Sequence, residues 1–274
     1  RVWCAFELFT ASDEGKDVTI AMPPEQAEDF LLSLSKGSGI NEMWQALGSV
    51  NVEAAEAFSF SDKENILKLI SAKPGFKDFN AIVAKHLQSW IVSVSEAHLR
   101  KQQTLAASTK AADWDEWSFV QLHLAVGSLY LKLGDPQRAL PIFQDALQRI
   151  DIQQAPDSWR SAFLMNMSTA KRMLQDIDGA EADFHSAKAL EKVEEDDWRS
   201  CNSRALLKLE RQDSSAALID LRHAMAMLKE DPDAAEDAPT VLMNMGGAFA
   251  KVGDLQGAEE ALSQARKGLE ALRK

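Results

Sequence analysis

Small and apolar residues return in one helical register four times between Val120 and Lys274, with polar residues between them. In the first copy, Gly127 and Tyr130 fall on one predicted helix and Ala139, Phe143 and Ala146 on the next. Gly134-Asp135-Pro136 supplies the break between the two. The second copy keeps Ala180, Phe184 and Ala187, the third Ala217, Leu221 and Ala224, and the fourth Gly246, Phe249, Ala258, Leu262 and Ala265. The marker alanines Ala139, Ala180, Ala217 and Ala258 are 41, 37 and 41 residues apart. Filler recurs as well: Leu164-Met165-Asn166-Met167 returns as Leu242-Met243-Asn244-Met245. Pro156, Pro232 and Pro239 fall between copies, where a proline near the first turn of a helix is tolerated. The middle copies depart from the outer ones. They place Ser168 and Ala205 where the first has Gly127, and Lys171 and Lys208 where it has Tyr130.

The front third follows another pattern. Val2–Phe9 reads as a short apolar helix, and Asp17–Met22 as a β-branched strand ended by Pro23-Pro24. Glu25–Leu34 reads as a helix with acids in its early turns, Gly37-Ser38-Gly39 as a flexible turn, and Ile40–Leu47 as a short helix. Gly48–Ala54 reads as a second strand. Ser61 with Glu64 forms a capping box opening a helix through Ile70. Phe79, Ile82, Val83, His86, Leu87, Trp90 and Ile91 then line one face of a long amphipathic helix. Strand, helix, strand, helix predicts a parallel sheet, yet two strands are too few to bury one. The expectation is the trailing half of an α/β domain whose first strands lie upstream of Arg1, which the absent initiator Met fits.

The repeat markers resemble the tetratricopeptide repeat, a helix–turn–helix unit of about 34 residues. The longer period is similar to that of kinesin light chains. The resemblance implies a mostly α protein, an α-solenoid over residues 110–274 of four repeats ending in a capping helix. Such a stack implies a groove that binds a partner protein or an extended peptide. The first helix of each pair would line the concave face, where Asn166 and Asn244 occupy equivalent positions. In kinesin-light-chain-like repeats an asparagine there holds a peptide backbone, because a side-chain amide donates and accepts at once. Arg172 and Lys251 would add a charge contact to a peptide carboxylate, and Asn202, Ser203 and Arg199 form a third set. The alternative is that the asparagines bridge neighbouring helices with no ligand. The Lys, Arg and Asn combination of a carboxylate clamp is incomplete, which argues against a chaperone C-terminus as partner.

At the other end, Trp3-Cys4-Ala5-Phe6-Glu7-Leu8 resembles the W-C-x-x-E-L segment of Toll/interleukin-1-receptor (TIR) domains. Residues 1–103 would then be a partial flavodoxin-like or TIR-like α/β domain, with Gln102–Lys110 as the junction. In NAD-cleaving members the matching glutamate is catalytic, so the resemblance assigns that role to Glu7, with NAD as substrate and the repeats regulating or oligomerising the domain. A carboxylate there would stabilise the positive charge developing on the ribose. The other reading makes Glu7 a helix carboxylate, and expects Trp3 and Cys4 in a core.

Composition narrows the partners. A net charge of −12 and a pI near 4.9 argue against nucleic acid and anionic membranes. No apolar run approaches the roughly 18 residues of a membrane span. Cys4 and Cys201 lack metal-ligand spacing and suit a reducing, cytoplasmic setting. The five histidines are scattered, His86 reading as a hydrogen-bonded core residue, so no metal or cofactor is expected. The acidic runs Glu194–Asp197 and Glu230–Asp237 read as solvated connections, and the methionines mostly as core, a few lining an adaptable groove. Together these readings favour a cytoplasmic protein-binding scaffold that is not an enzyme, with self-association possible. A TIR-like NAD glycohydrolase signalling protein is the alternative.

Overall fold

The computed structural model describes residues 1–16, 18, 20, 23–35, 40–108, 116–153, 156–191 and 197–271. It is 85% helical, with thirteen α-helices and no strand among the described residues. The chain divides into two compact units, Arg1–Asp135 and Pro136–Lys274.

The front unit holds α1 (Val2–Asp13), α2 (Pro24–Ser35), α3 (Ile40–Gly48), α4 (Phe60–Ala72), α5 (Phe76–Ser108) and α6 (Glu116–Leu133). The 33-residue α5 packs against all five others. Its amphipathic stripe sends Phe79 and Val83 into a core with Val2, Val52, Ile66 and Ile70. Phe9 of α1 stacks on Phe79 at 4.9 Å between centroids. Burying a Phe or Ile side chain contributes about 1.5–3 kcal/mol, so this cluster is what holds α1, α4 and α5 together. Two polar ties fix the chain between helices: Val2 N donates to Glu56 O and Val52 N to Asn80 Oδ1.

This unit corrects the α/β expectation. Residues 49–54 are a turn, not a strand, because Asn51 Oδ1 accepts from both Glu53 N and Ala54 N and curls the backbone. In the first predicted strand, Asp17, Thr19, Ala21 and Met22 lie outside the described residues, and Val18 and Ile20 are in no strand. Gly37-Ser38-Gly39 also lies outside them. The described residues supply no strand from which half of a TIR-like domain could be built. Trp3 and Cys4 are exposed rather than core, since Val2 is the α1 residue that enters the cluster. The N-cap of α4 is Ser59, whose side chain accepts from Asp62 N, two residues before the predicted box. The helix α5 runs on through most of the polar stretch read as a junction, while residues 109 and 110 lie outside the described ones.

The back unit opens with α7 (Pro136–Gln153) and continues as three hairpins. These are α8 (Asp157–Met173) with α9 (Ile177–Glu191), α10 (Trp198–Glu210) with α11 (Ser214–Glu230), and α12 (Ala238–Lys251) with α13 (Leu255–Ala271). A 3-10 helix, Pro232–Asp237, leads into α12. The acidic run before α10 lies outside the described residues as far as Asp196, and Asp197 caps that helix. Marker alanines 139, 180, 217 and 258 are buried, as are Ala146, Ala187, Ala224 and Ala265. Small residues there let the paired helices approach closely. At Gly246 an added Cβ would stand 2.7 Å from Leu262 Cγ. In the α8–α9 hairpin Ser168 takes the place of that glycine and donates to Ala180 O at 2.7 Å.

The turns share one construction. The residue closing each first helix is followed by a left-handed residue and then an aspartate: Gly134, Gln175, Gln212 and Gly253 have φ of 80°, 64°, 64° and 82°. Within the back unit, Asp176 accepts from Gly179 N, Asp213 from Ala216 N and Asp254 from Gly257 N, satisfying donors at the start of α9, α11 and α13.

Candidate functional site

The first helices of the hairpins, α8, α10 and α12, bring four of the seven residues singled out for peptide contact into bonds between successive first helices, and a fifth, Arg199, reaches the 3-10 helix before α12. Arg172 Nη1 of α8 meets Glu210 Oε1 of α10 at 3.1 Å. Asn244 Nδ2 of α12 donates to Asn202 Oδ1 of α10 at 2.8 Å. Lys251 Nζ, in the last turn of α12, donates to Leu209 O of α10 at 3.2 Å. That carbonyl belongs to a helix C-terminus, where a cation is favoured. Arg199 of α10 stacks 4.5 Å over its neighbour Trp198 and reaches Asp237 Oδ2 at 3.5 Å. Asn166 stands apart: its Nδ2 donates to Ala162 O within α8 at 2.8 Å.

The result is a set of lateral ties along one face of the unit. All seven residues are at least partly exposed, and Met243, beside Asn244, is 44% exposed. The amide pair uses one donor and one acceptor. Of each two-ended amide, that bond leaves the Asn202 Nδ2 and the Asn244 Oδ1 end for another partner. Five other methionines of this unit behave as core: Met167 is buried, Met165 packs on Ala180, Phe184 and Leu207, and Met225, Met227 and Met245 pack on the cluster around Leu221 and Val241.

Sequence reading missed the carboxylates beneath this face. Lys171 Nζ meets Asp183 Oδ2 at 2.6 Å, and Lys208 Nζ meets Asp220 Oδ2 at 2.7 Å, each pair joining the two helices of one hairpin. Arg204 adds a two-pronged contact to Asp220, Nε to Oδ2 at 3.1 Å and Nη2 to Oδ1 at 3.0 Å. Burial pushes the Asp220 carboxyl up, but the hydrogen bonds and charges of Arg204 and Lys208 outweigh it and hold it below 3.8. The same twelve-residue interval separates lysine and aspartate in both hairpins, a signal that was available in the sequence. On the surface, Arg211 bridges Asp178 and Glu181, tying the turn after α10 to α9. Buried Cys201 lies 3.7 Å from His223 Nδ1 and 3.9 Å from Arg204 Nη2.

In the front unit Glu7 is exposed on α1. A cavity of about 610 Å³ lies along α1 and α5, lined by Leu8, Ser12, His86, Trp90 and Val94 among others. His86 is half-buried and its Nε2 hydrogen-bonds Ser12 Oγ, while Trp90 Nε1 donates to Ile20 O at 3.0 Å. Among the described residues no three metal-binding side chains converge, and no helix is long and apolar enough to cross a membrane.

No protein-family model matches the chain, and no curated protein matches it. Among solved structures it is similar to the kinesin light chain-like BtubC (BKLC) from P. vanneervenii, at 16% identity over 90% of this chain and 92% of that one, with a TM-score of 0.50. It also aligns with the APC/C hetero-tetramer Cut9-Hcn1, at 16% identity over 90% of this chain and 57% of that one, with a TM-score of 0.37. At such identity the likeness to BtubC shows the fold: the protein is a tetratricopeptide-like helical repeat.

Proposed function

We propose that the protein is an interaction scaffold that holds an extended segment of a partner protein against α8, α10 and α12. The observation that supports this best is the Asn244–Asn202 pair, which joins two first helices and leaves an amide donor end on Asn202 and an amide acceptor end on Asn244 outside that bond. That is the complement of a peptide backbone, whose N–H and C=O groups need partners when they leave water. Exposed Met243 offers an adaptable apolar contact beside the pair. The cations near it are engaged with Glu210, Asp237 and the Leu209 carbonyl, so the face reads backbone and apolar side chains ahead of a terminal carboxylate.

The test is selection of binders from a displayed random-peptide library with the 274-residue protein, followed by calorimetry. Replacing Asn202 and Asn244 together by alanine is expected to weaken selected peptides about tenfold or more, the scale of losing two interfacial hydrogen bonds. Peptides that bind the doubly substituted protein equally well would place recognition elsewhere.

A further inference from the structure

The marker alanines lay α13 on α11 residue by residue, and the comparison exposes an unfilled place. Ser214, Leu221 and Leu228 of α11 are 7%, 0% and 3% exposed, and the two leucines belong to a core cluster that takes in Val241 and Ala248 of α12. Their counterparts on α13 are Leu255, Leu262 and Leu269, which are 74%, 48% and 39% exposed. The three leucines are seven residues apart, so they form one stripe down the helix, drifting about 20° per step. The inner edge of Leu262 rests over Gly246, and the rest of its side chain faces outward. On α11 such a stripe is covered by a helix, and α13 presents leucine at all three positions.

Charge along the outer flank of the stripe says which helix fits. Glu259 and Arg266, both exposed, are also seven residues apart and share that flank. A parallel copy of α13 would turn the flank of Glu259 and Arg266 toward the flank of Ala258 and Ala265 on the other copy, giving neither charge a partner across the contact. An antiparallel copy turned about Leu262 sets Leu255 against Leu269, and brings Glu259 of one copy within one residue's rise, about 1.5 Å along the axis, of Arg266 of the other. We infer that two copies of this chain associate through α13 packed antiparallel on itself. One leucine per seven residues gives half the apolar seam of a coiled coil, so the contact is small and the dimer weak. The inference is independent of the peptide-binding face.

Sedimentation equilibrium of the 274-residue chain over a range of concentrations tests it. The parent is expected to pass from monomer to dimer as concentration rises. Leu262→Glu is expected to weaken the dimer at least tenfold, and Leu255→Glu, at a position 74% exposed, to weaken it likewise while its circular dichroism melt stays close to the parent's. Glu259→Arg and Arg266→Glu are each expected to weaken association, and the two together to restore it. A parent that stays monomeric at every concentration overturns the inference, as does a Leu262→Glu protein that dimerises like the parent. Single charge reversals without effect, or a pair that does not recover, overturn the antiparallel arrangement.

Discussion

Lys171 and Lys208 are departures from an aromatic position in the sequence and half of an ion pair in the structure. Where the first repeat buries Tyr130, the middle hairpins fasten their two helices with lysine and aspartate, Asp220 receiving Arg204 as well. The consequence is pH dependence with a definite sign. A carboxyl held below 3.8 in the fold stabilises it fully above that value, and the contribution disappears as pH falls through the lower folded value. Asp220→Asn is expected to cost about 1–2 kcal/mol at neutral pH, the partial exposure of both cations keeping it at the low end. In urea titrations the gap between the two proteins should close below about pH 4. A gap unchanged at acid pH would mean that Asp220 matters only for its shape. The lysines were readable in the chain, but their partners were not, because the pairing exists only once the two helices lie side by side. The same holds for the amide and arginine residues of the candidate face. Their types and positions were legible, and their lateral bonds depend on a neighbouring hairpin about forty residues away.

At the scale of elements, periodicity located the helices well and their edges less well. Helices were read correctly at Glu25–Leu34, Ile40–Leu47 and the long stripe of α5, where apolar residues recur at helical spacing over several turns. The short β-branched and polar runs carried no such information, and Asn51 turned one of them into a loop. The hairpin turns show how a strong signal can hide a general one. Glycine advertises the left-handed residue at Gly134 and Gly253, whereas Gln175 and Gln212 adopt the same conformation without advertising it. A left-handed residue with a Cβ costs about 1–2 kcal/mol, and glycine gives back part of that through its freer unfolded chain. Gln212→Gly is therefore expected to stabilise the protein by about 0.5–1 kcal/mol, read as a higher denaturation midpoint. A lower midpoint would show that the glutamine side chain holds the turn in some other way.

For the whole molecule, the repeated half of the sequence announced itself and the front third misled. A six-residue likeness around Glu7 suggested an α/β domain, but fold is set by what the whole segment can bury. Here a 33-residue helix gathers the others into a unit whose described residues form helices and no strand. Far-UV circular dichroism should accordingly show a helical spectrum with no sheet component. A strand fraction of about a twentieth or more would reinstate the sheet, since the two predicted strands hold 13 of the 274 residues. In the back unit, three residues separate α8 from α9, α10 from α11, and α12 from α13. Each hairpin thus brings its own helices together across a very short stretch of chain, and then meets mainly the next hairpin along. Few distant segments have to find one another. A chain with such low contact order loses little entropy before its contacts form, and belongs with proteins that fold in microseconds to milliseconds, starting from any hairpin and spreading to its neighbours.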